Sequence, residues 1–319
     1  MTRNLQYKIE AQHHGKRIDW VLKEKEFSRA VLIELKKDQT GIRKNGIWAC
    51  VNELVQVGDI LDICLQEEGT SENIVPIEGK LQILYEDEDI LVVNKPYDTP
   101  IHPSVNNYEN TLANTVMYYY EKQGTPHTFR CINRLDRDTT GVTIIAKHLL
   151  SASILANRLQ ARAFSRVYVA LVEGKTKEEG MIDLPIGRAE DSIIKRRIDE
   201  KEGKHAVTHY RRLEVFEVAG QIVSMVALKL ETGRTHQIRV HMSAIGHPLL
   251  GDFLYNESNH MLTRQALHGA ECEFKHPITG KHMHIVAPLP VDMERLIHQG
   301  LKLEEDRYDL AAKLNSINW

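Results

Sequence analysis

The segment Asn133-Arg134-Leu135-Asp136-Arg137-Asp138-Thr139-Thr140-Gly141 sets two carboxylates among arginines, with Arg130 just ahead of it. A carboxylate acting as a nucleophile must stay ionised in a partly dry site, and a neighbouring guanidinium favours the charged form. Asp136 is therefore a candidate nucleophile. The same residues would equally make a solvated salt-bridge loop, because Arg–Asp neighbours at surfaces are common. A second segment, Gly233-Arg234-Thr235-His236-Gln237-Ile238-Arg239-Val240-His241-Met242, runs on to Gly246-His247-Pro248 and Gly251-Asp252. It puts Arg239 on an expected helix with Ile238 and Met242, as a candidate partner for a catalytic carboxylate. The plain alternative is an amphipathic helix whose Arg and His face water. In Arg166-Val167-Tyr168-Val169-Ala170, strand alternation places Arg166, Tyr168 and Ala170 on one face. A Tyr there could stack on a base, though an isolated strand Tyr is more often core. In Asp89-Ile90-Leu91-Val92-Val93-Asn94-Lys95-Pro96, followed by Ile101-His102-Pro103-Ser104, a buried strand delivers Lys95 to a rigid loop. Lys95 is then a phosphate contact or part of a structural turn.

The surrounding elements can be read from periodicity. Lys16–Glu26 and Arg29–Asp38 carry helical spacing (Ile18, Val21, Leu22; Val31, Leu32, Leu35), and Ser28 stands where an N-cap belongs. Short strands are expected around Ile47–Val51 and Ile60–Leu65, with turns at Gly46 and Gly58-Asp59. Residues 1–66 thus form a small α/β module, and the polar stretch 67–79 is the linker candidate. A larger domain, 80–300, contains strands at Ile90–Asn94, Val142–Ala146 and Arg166–Val172, a strand pair within 206–231 turning near Gly220, and helices at Thr111–Lys122, Leu149–Ala163 and Thr235–Ile245. The elements do not alternate as regular βαβ units, so the fold class is α+β, with a mixed, largely antiparallel sheet and flanking helices. Residues 301–319 are expected to form a peripheral C-terminal helix.

The chain has 319 residues, 42% hydrophobic and 27% charged. This is a globular composition with enough apolar residues for a sizeable core. No apolar run approaches the roughly 20 residues of a membrane helix, and the N-terminus lacks a secretion signal, so a cytoplasmic protein without membrane association is expected. Cys50, Cys64, Cys131 and Cys272 are far apart and form no C-x-x-C pair, which argues against a zinc knuckle or disulfides. The net charge of -3 hides its distribution. Glu67 to Asp98 holds nine acidic residues and two Lys, leaving 39 Lys and Arg against 35 Asp and Glu elsewhere. Phosphate affinity depends on where cations cluster rather than on the total.

Together the four segments resemble one family, the RluA-type pseudouridine synthases. DILVVNKP…IHPS, NRLDRDTTGVTIIAK, RVYVALVEG and GRTHQIRVHMSAIGHPLLGD stand in the family's order between about Leu81 and Pro290. The resemblance implies an enzyme acting on ribosomal or transfer RNA without metal or cofactor. It puts the catalytic aspartate at Asp136, the active-site tyrosine at Tyr168 and the arginine that pairs with the aspartate at Arg239. Ile238 would pack the pocket, Arg134 and Leu135 would flank the nucleophile, and Lys95 and Arg166 would contact substrate. Two positions depart from the family: Asn133 stands where His is usual, and Arg166 where Lys is usual. Neither is expected to touch the nucleophile, so both bear on substrate contacts. KRIDWVLKEKEFSRAVLIELKK and LVQVGDILDI more weakly resemble the αL RNA-binding module, with IRKNGIWACVNE in place of its usual short turn.

The implied reaction breaks the bond between ribose and the uracil nitrogen, turns the base and rejoins it through carbon, on a uridine flipped out of the RNA. Asp136 would attack the anomeric carbon or the ring, or abstract a ribose proton in a glycal route. One competing reading is a non-catalytic RNA-binding protein. Another is a metal-dependent hydrolase using some of the 16 His, although none lies in an H-E-x-x-H pattern. The acidic stretch 67–98 lacks calcium-loop spacing and reads as linker and solvated face. The chain is expected to be a monomer.

Overall fold

A computed structural model describes residues 1–319 except 68, 70, 72, 106, 126, 191, 303–307 and 318. Six elements come first: β1 (Thr2–Lys8), α1 (Ile18–Glu24), α2 (Arg29–Leu35), β2 (Ile42–Lys44), β3 (Ile47–Trp48) and β4 (Ile60–Gln66). Their strands form a four-stranded sheet in the order β1-β4-β2-β3. Ser28 caps α2, its hydroxyl accepting from the Val31 N–H, a contact of about 1 kcal/mol. The buried faces of α1 and α2 (Ile18, Val21, Leu22, Val31, Leu32, Leu35) pack on the inward residues of β4.

The next elements are β5 (Gln82–Glu86), β6 (Ile90–Lys95), α3 (Leu112–Lys122), β7 (Thr140–Ala146), α4 (Leu149–Gln160), β8 (Ser165–Glu173) and β9 (Glu179–Asp183). A short hairpin, β10 (Ile186–Arg188) and β11 (Arg196–Ile198), precedes the long pair β12 (Val207–Val218) and β13 (Gln221–Leu230). Then come α5 (Gln237–Ala244), β14 (Leu267–Lys275), β15 (His282–Val286), α6 (Val291–Leu301) and α7 (Leu310–Asn315). Thr111 starts α3 with a capping box shared with Asn114. Ala219 and Gly220 both take positive φ in the β12–β13 turn, matching the right-handed twist of a tight hairpin.

The large sheet runs β5-β6-β7-β14-β8-β13-β12-β9, with β15 also on β14. Every pairing is antiparallel except β7 with β14. The fold is therefore α+β with a mixed, largely antiparallel sheet. At β14 the sheet forks along one edge: His268 and Gly269 pair with β7, and Glu271–Lys275 pair with β15. Gly141 stands at this fork with φ 125°. A β-carbon on it would lie 2.2 Å from the Gly269 carbonyl oxygen, so no other residue fits.

Both faces of the sheet are covered, which is why β7 (TGVTIIA) is buried along its whole length and reads as a continuous apolar run. Along β8, Val167, Val169 and Leu171 face the core built with α6 and α7. Tyr168, Ala170 and Val172 face the opposite core, which includes Ile238 and Met242 of α5. The first sheet docks on α4, whose Leu150 and Ile154 join its core. Arg3 of β1 forms a two-pronged pair with Asp89 (2.7 and 3.2 Å), which also meets His148 Nε2 at 2.9 Å.

Several expectations need correction. Asp89 is 2% exposed and ion-paired, so the acidic stretch is not wholly a solvated face. The helix expected from Thr235 begins at Gln237, because His236 adopts left-handed backbone (φ 57°). In place of one tail helix there are α6, which starts before Gly300, and α7, whose Leu310 and Leu314 are buried in the main core; residues 303–307 and 318 of that stretch lie outside the described residues. Positions 68, 70 and 72 of the linker candidate do as well. No helix among the described residues is long and apolar enough to cross a membrane.

The fork contains a buried neutral imidazole. His268 is fully buried; its Nδ1 lies 2.8 Å from Thr140 Oγ1 and its Nε2 3.3 Å from the Ala287 carbonyl. Burial lowers its pKa from 6.5 to about 4. The unfolded chain therefore takes up this proton before the folded one does, so stability is lost as pH falls from 6.5 towards 4, by roughly 3 kcal/mol. Denaturant unfolding should show a smaller acid-dependent loss in His268→Asn than in the parent over that interval; equal losses would acquit the ring.

Candidate active site

The loop bearing Asp136 is tied to the sheet before and after it. The Asn133 side chain is buried and spends both ends on β7, donating to the Val142 carbonyl (2.8 Å) and accepting from the Ile144 N–H (2.9 Å). The departure from the family at this position is thus structural. The Thr139 N–H closes a turn on the Asp136 carbonyl, and Gln265 reaches Thr139 Oγ1 at 3.3 Å.

Lys95 is fully buried. Its ammonium donates to the carbonyls of Pro96, Thr99 and Arg137 at 2.8, 2.9 and 2.8 Å, so all three protons are used. Burial pushes its pKa down to about 7, against the pull of Asp138 and Asp136. The expectation that Lys95 contacts substrate is therefore not met. Lys95 clamps the loop after β6 to the loop carrying Asp136.

Opposite Asp136, the start of α5 is pinned by Gln237. Its amide donates to the Val207 carbonyl and Thr208 Oγ1, and its oxygen accepts from Thr232 Oγ1 and the Arg234 N–H. Arg239 is 2% exposed. It donates through Nε and Nη2 to both oxygens of Asp252, each at 2.7 Å, and through Nη1 to Asp136 Oδ2 at 3.2 Å. Burial works against its charge, but the hydrogen bonds to Asp252 more than offset this and leave its pKa raised. The guanidinium also lies 5.1 Å from the Tyr255 ring centroid.

Asp136 opens onto a cleft of about 680 Å³. Tyr168, Leu135 and Ile238 line it and share one apolar cluster; burial raises the Tyr168 pKa. Arg134, Arg137, Arg166 and Arg234 line it as well. Asp136 is the one carboxylate among the described lining residues. Seven of the eight expected site residues, Asp136, Tyr168, Arg239, Arg134, Leu135, Ile238 and Arg166, thus meet in one cleft, and Lys95 supports it from below.

The RNA pseudouridylate synthase family model matches residues 89–244. The Bacillus subtilis protein named uncharacterized RNA pseudouridine synthase YjbO is 42% identical over 85% of this chain and 94% of its own length. The chain belongs to the RNA pseudouridine synthases. Ribosomal large subunit pseudouridine synthase D of Escherichia coli K12 is 35% identical over 96% of this chain and 95% of its own. The solved structure of human RNA pseudouridylate synthase domain containing 1 covers 70% of this chain and 87% of its own, at 30% identity and a TM-score of 0.57. The RluA-type resemblance stands, and the synthase isomerises uridine to pseudouridine in RNA.

Away from the cleft, Asp87, Asp89 and His276 lie close enough to hold an ion. The His276 Nδ1 accepts the N–H groups of Ile278 and Thr279, which puts its proton on Nε2, facing Asp87 at 2.8 Å. Arg3 and His148 in turn engage Asp89, so the group is joined by an Arg3–Asp89 ion pair and contacts from the two imidazoles.

Asp252, His236 and Tyr255 are site residues that the sequence reading missed. A buried guanidinium meets a carboxylate through two parallel hydrogen bonds. Arg239 therefore needs one carboxylate to hold it besides the one it presents, and Gly251-Asp252 was the available signal. Asp252 is fully buried. In the synthase, Asp252→Ala leaves the guanidinium without its main partner, and chemical denaturation should show a loss of about 3–5 kcal/mol. A loss below 1 kcal/mol would mean that Asp136 alone suffices to hold Arg239.

Proposed function

We propose that this synthase modifies uridine in large-subunit ribosomal RNA, taking a flipped base into the cleft and using Asp136 as nucleophile. The observation that carries this is that Asp136, the one carboxylate among the described lining residues, is paired with Arg239 in an arginine-lined cleft. The relatives named for the ribosomal large subunit support the choice of RNA. The reaction is redox-neutral: the bond from C1′ to N1 breaks, a bond from C1′ to C5 forms, and the C5 proton leaves as N1 gains one. It requires a group that holds C1′ or the ring while the base turns, a pocket that permits the turn, and compensation for unstacking.

Asp136 is suited to the first task, because Arg239 aims it and its side chain is 28% exposed toward the cleft. Tyr168, Leu135 and Ile238 supply an apolar wall against which uracil can stack and rotate. Arg134, Arg137, Arg166 and Arg234 supply cations for the phosphates beside the flipped nucleotide, whose extraction costs a few kcal/mol. Residues 1–66 add RNA contacts in this proposal. Trp20 there is half-exposed beside Lys16, whose ammonium lies 5.1 Å from the ring centroid, a pairing that favours stacked bases and phosphates. The enzyme is proposed to act as a monomer in the cytoplasm.

Carbodiimide-dependent reverse-transcription stops on large-subunit ribosomal RNA and transfer RNA transcripts test the proposal. Purified protein should create stops in the ribosomal transcript, and Asp136→Ala should create none while still binding. Stops confined to transfer RNA would move the substrate; stops with Asp136→Ala would remove the nucleophile. The Arg134 side chain makes no hydrogen bond or ion pair among the described residues, so Arg134→Ala tests the phosphate role. It should weaken binding and lower the slope of log affinity against log salt by about 1. An unchanged slope would place Arg134 off the phosphates.

A further inference from the structure

His236 has no task in the mechanism so far. It enters α5 in the left-handed region (φ 57°, ψ 19°), and its side chain does not cap the helix. Residues with a β-carbon take that region uncommonly, and such positions cluster at functional sites. The backbone turns the imidazole toward the cleft, where Nε2 lies 3.9 Å from Asp136 Oδ2 and the side chain is 9% exposed. Arg239 approaches the same oxygen at 3.2 Å. Among the described residues no hydrogen bond reaches Oδ1.

The other ring nitrogen sets the proton. His236 Nδ1 lies 3.0 Å from Tyr255 Oη, and the rings meet edge to face at 5.9 Å and 80°. Tyr255 Oη already accepts the Arg196 N–H at 2.8 Å, so its own proton is free to go to Nδ1. An imidazole that accepts at Nδ1 carries its proton on Nε2, the nitrogen that faces Asp136. Burial is the largest influence on the ring and lowers its pKa; Asp136 and Asp252 oppose it, and Arg239 and Arg196 add to it.

We propose that His236 is a positioning residue for Asp136: the Tyr255 hydroxyl holds it as the Nε2–H form, it gives Oδ2 a second donor beside Arg239, and Oδ1 is left as the reacting oxygen. The proposal rests on the reading of Asp136 as nucleophile. At 3.9 Å the contact is longer than a hydrogen bond in the free protein, and such bonds tighten when substrate fills a site.

Two measurements on the full chain test it. In protein labelled with 15N-histidine, a two-bond proton–nitrogen correlation at neutral pH identifies His236 by its absence from His236→Gln. The expected pattern is an unprotonated Nδ1 and a protonated Nε2, with that preference lost in Tyr255→Phe; a protonated Nδ1 overturns the proposal whatever the activity. Single-turnover and steady-state kinetics then compare two replacements. Asn tolerates left-handed backbone but is too short to reach Asp136, whereas the Gln amide nitrogen falls near the place of Nε2. His236→Asn should lose about tenfold or more in kcat with KM within about twofold, as expected for a lost donor to a charged group. His236→Gln should return kcat to within about threefold of the parent. Equal kcat losses in the two variants, no loss in Asn, or a loss carried by KM would each overturn the role. Retained activity in Asp136→Ala would instead overturn the nucleophile reading, an outcome distinct from all of these.

Discussion

Arg239 lies between two carboxylates, buried, with the Tyr255 ring beside it. A guanidinium taken out of water loses several kcal/mol of solvation, which it recovers only from close partners in good geometry. Asp252 provides that geometry, gripping one edge of the fork and leaving the third nitrogen, Nη1, aimed at Asp136. Because the grip uses two parallel bonds, the direction of Nη1 is fixed by the position of Asp252, and so by the loop that follows α5. The remaining devices around the site hold the other partner still. Lys95 ties the Asp136 loop from below, Asn133 ties it to β7, and Gln237 locks the start of α5 to the β12–β13 pair. The site is therefore a stiff frame around one ion pair, open on the side where the arginines gather.

How much of this can be read from residue types varies by element. Long apolar runs and periodic helices are legible because burial on both faces of a sheet, or on one face of a helix, leaves a pattern: β6, β7, β8, α3 and α4 are expected within a few residues of their ends. β14 is not legible. LHGAECEFK interleaves a histidine and two glutamates with small residues, and its strand character comes from neighbours on both edges that no local pattern encodes. The weakly patterned β1 and β9 fail for a different reason: each is an edge strand held by one neighbour, β4 and β12 respectively, and neither carries an apolar run. Among site residues, those in dense motifs were found because several charged or aromatic types fall close together. Lys95 was placed in the right neighbourhood but given the wrong task, since a motif does not tell whether three backbone carbonyls converge on its ammonium. Asp252 and Tyr255 escaped because their meaning lies in what they touch across space.

The fork at β14 explains why the sheet mixes orientations. Gly141 brings backbone against backbone at Gly269, where a side chain on Gly141 would hold the two strands apart. This close crossing lets β7 run parallel to β14 for two residues, and it delivers the turn at Asp136 directly beside the face from which Tyr168 projects. The parallel pairing is short because the same edge of β14 is taken by β15 immediately afterwards.

The ion pair at the centre joins residues 103 positions apart, and the strand that brings their supports together comes later still. During synthesis Asp136 leaves the ribosome before Arg239, Asp252 or β14 exists. At about 5–20 residues per second, the loop spends several seconds as an exposed stretch of arginines and aspartates with no pocket behind it. A nascent chain therefore has the cations to hold RNA before it has the means to change it. The site is complete only once β14, the strand that lies between β7 and β8, has been made.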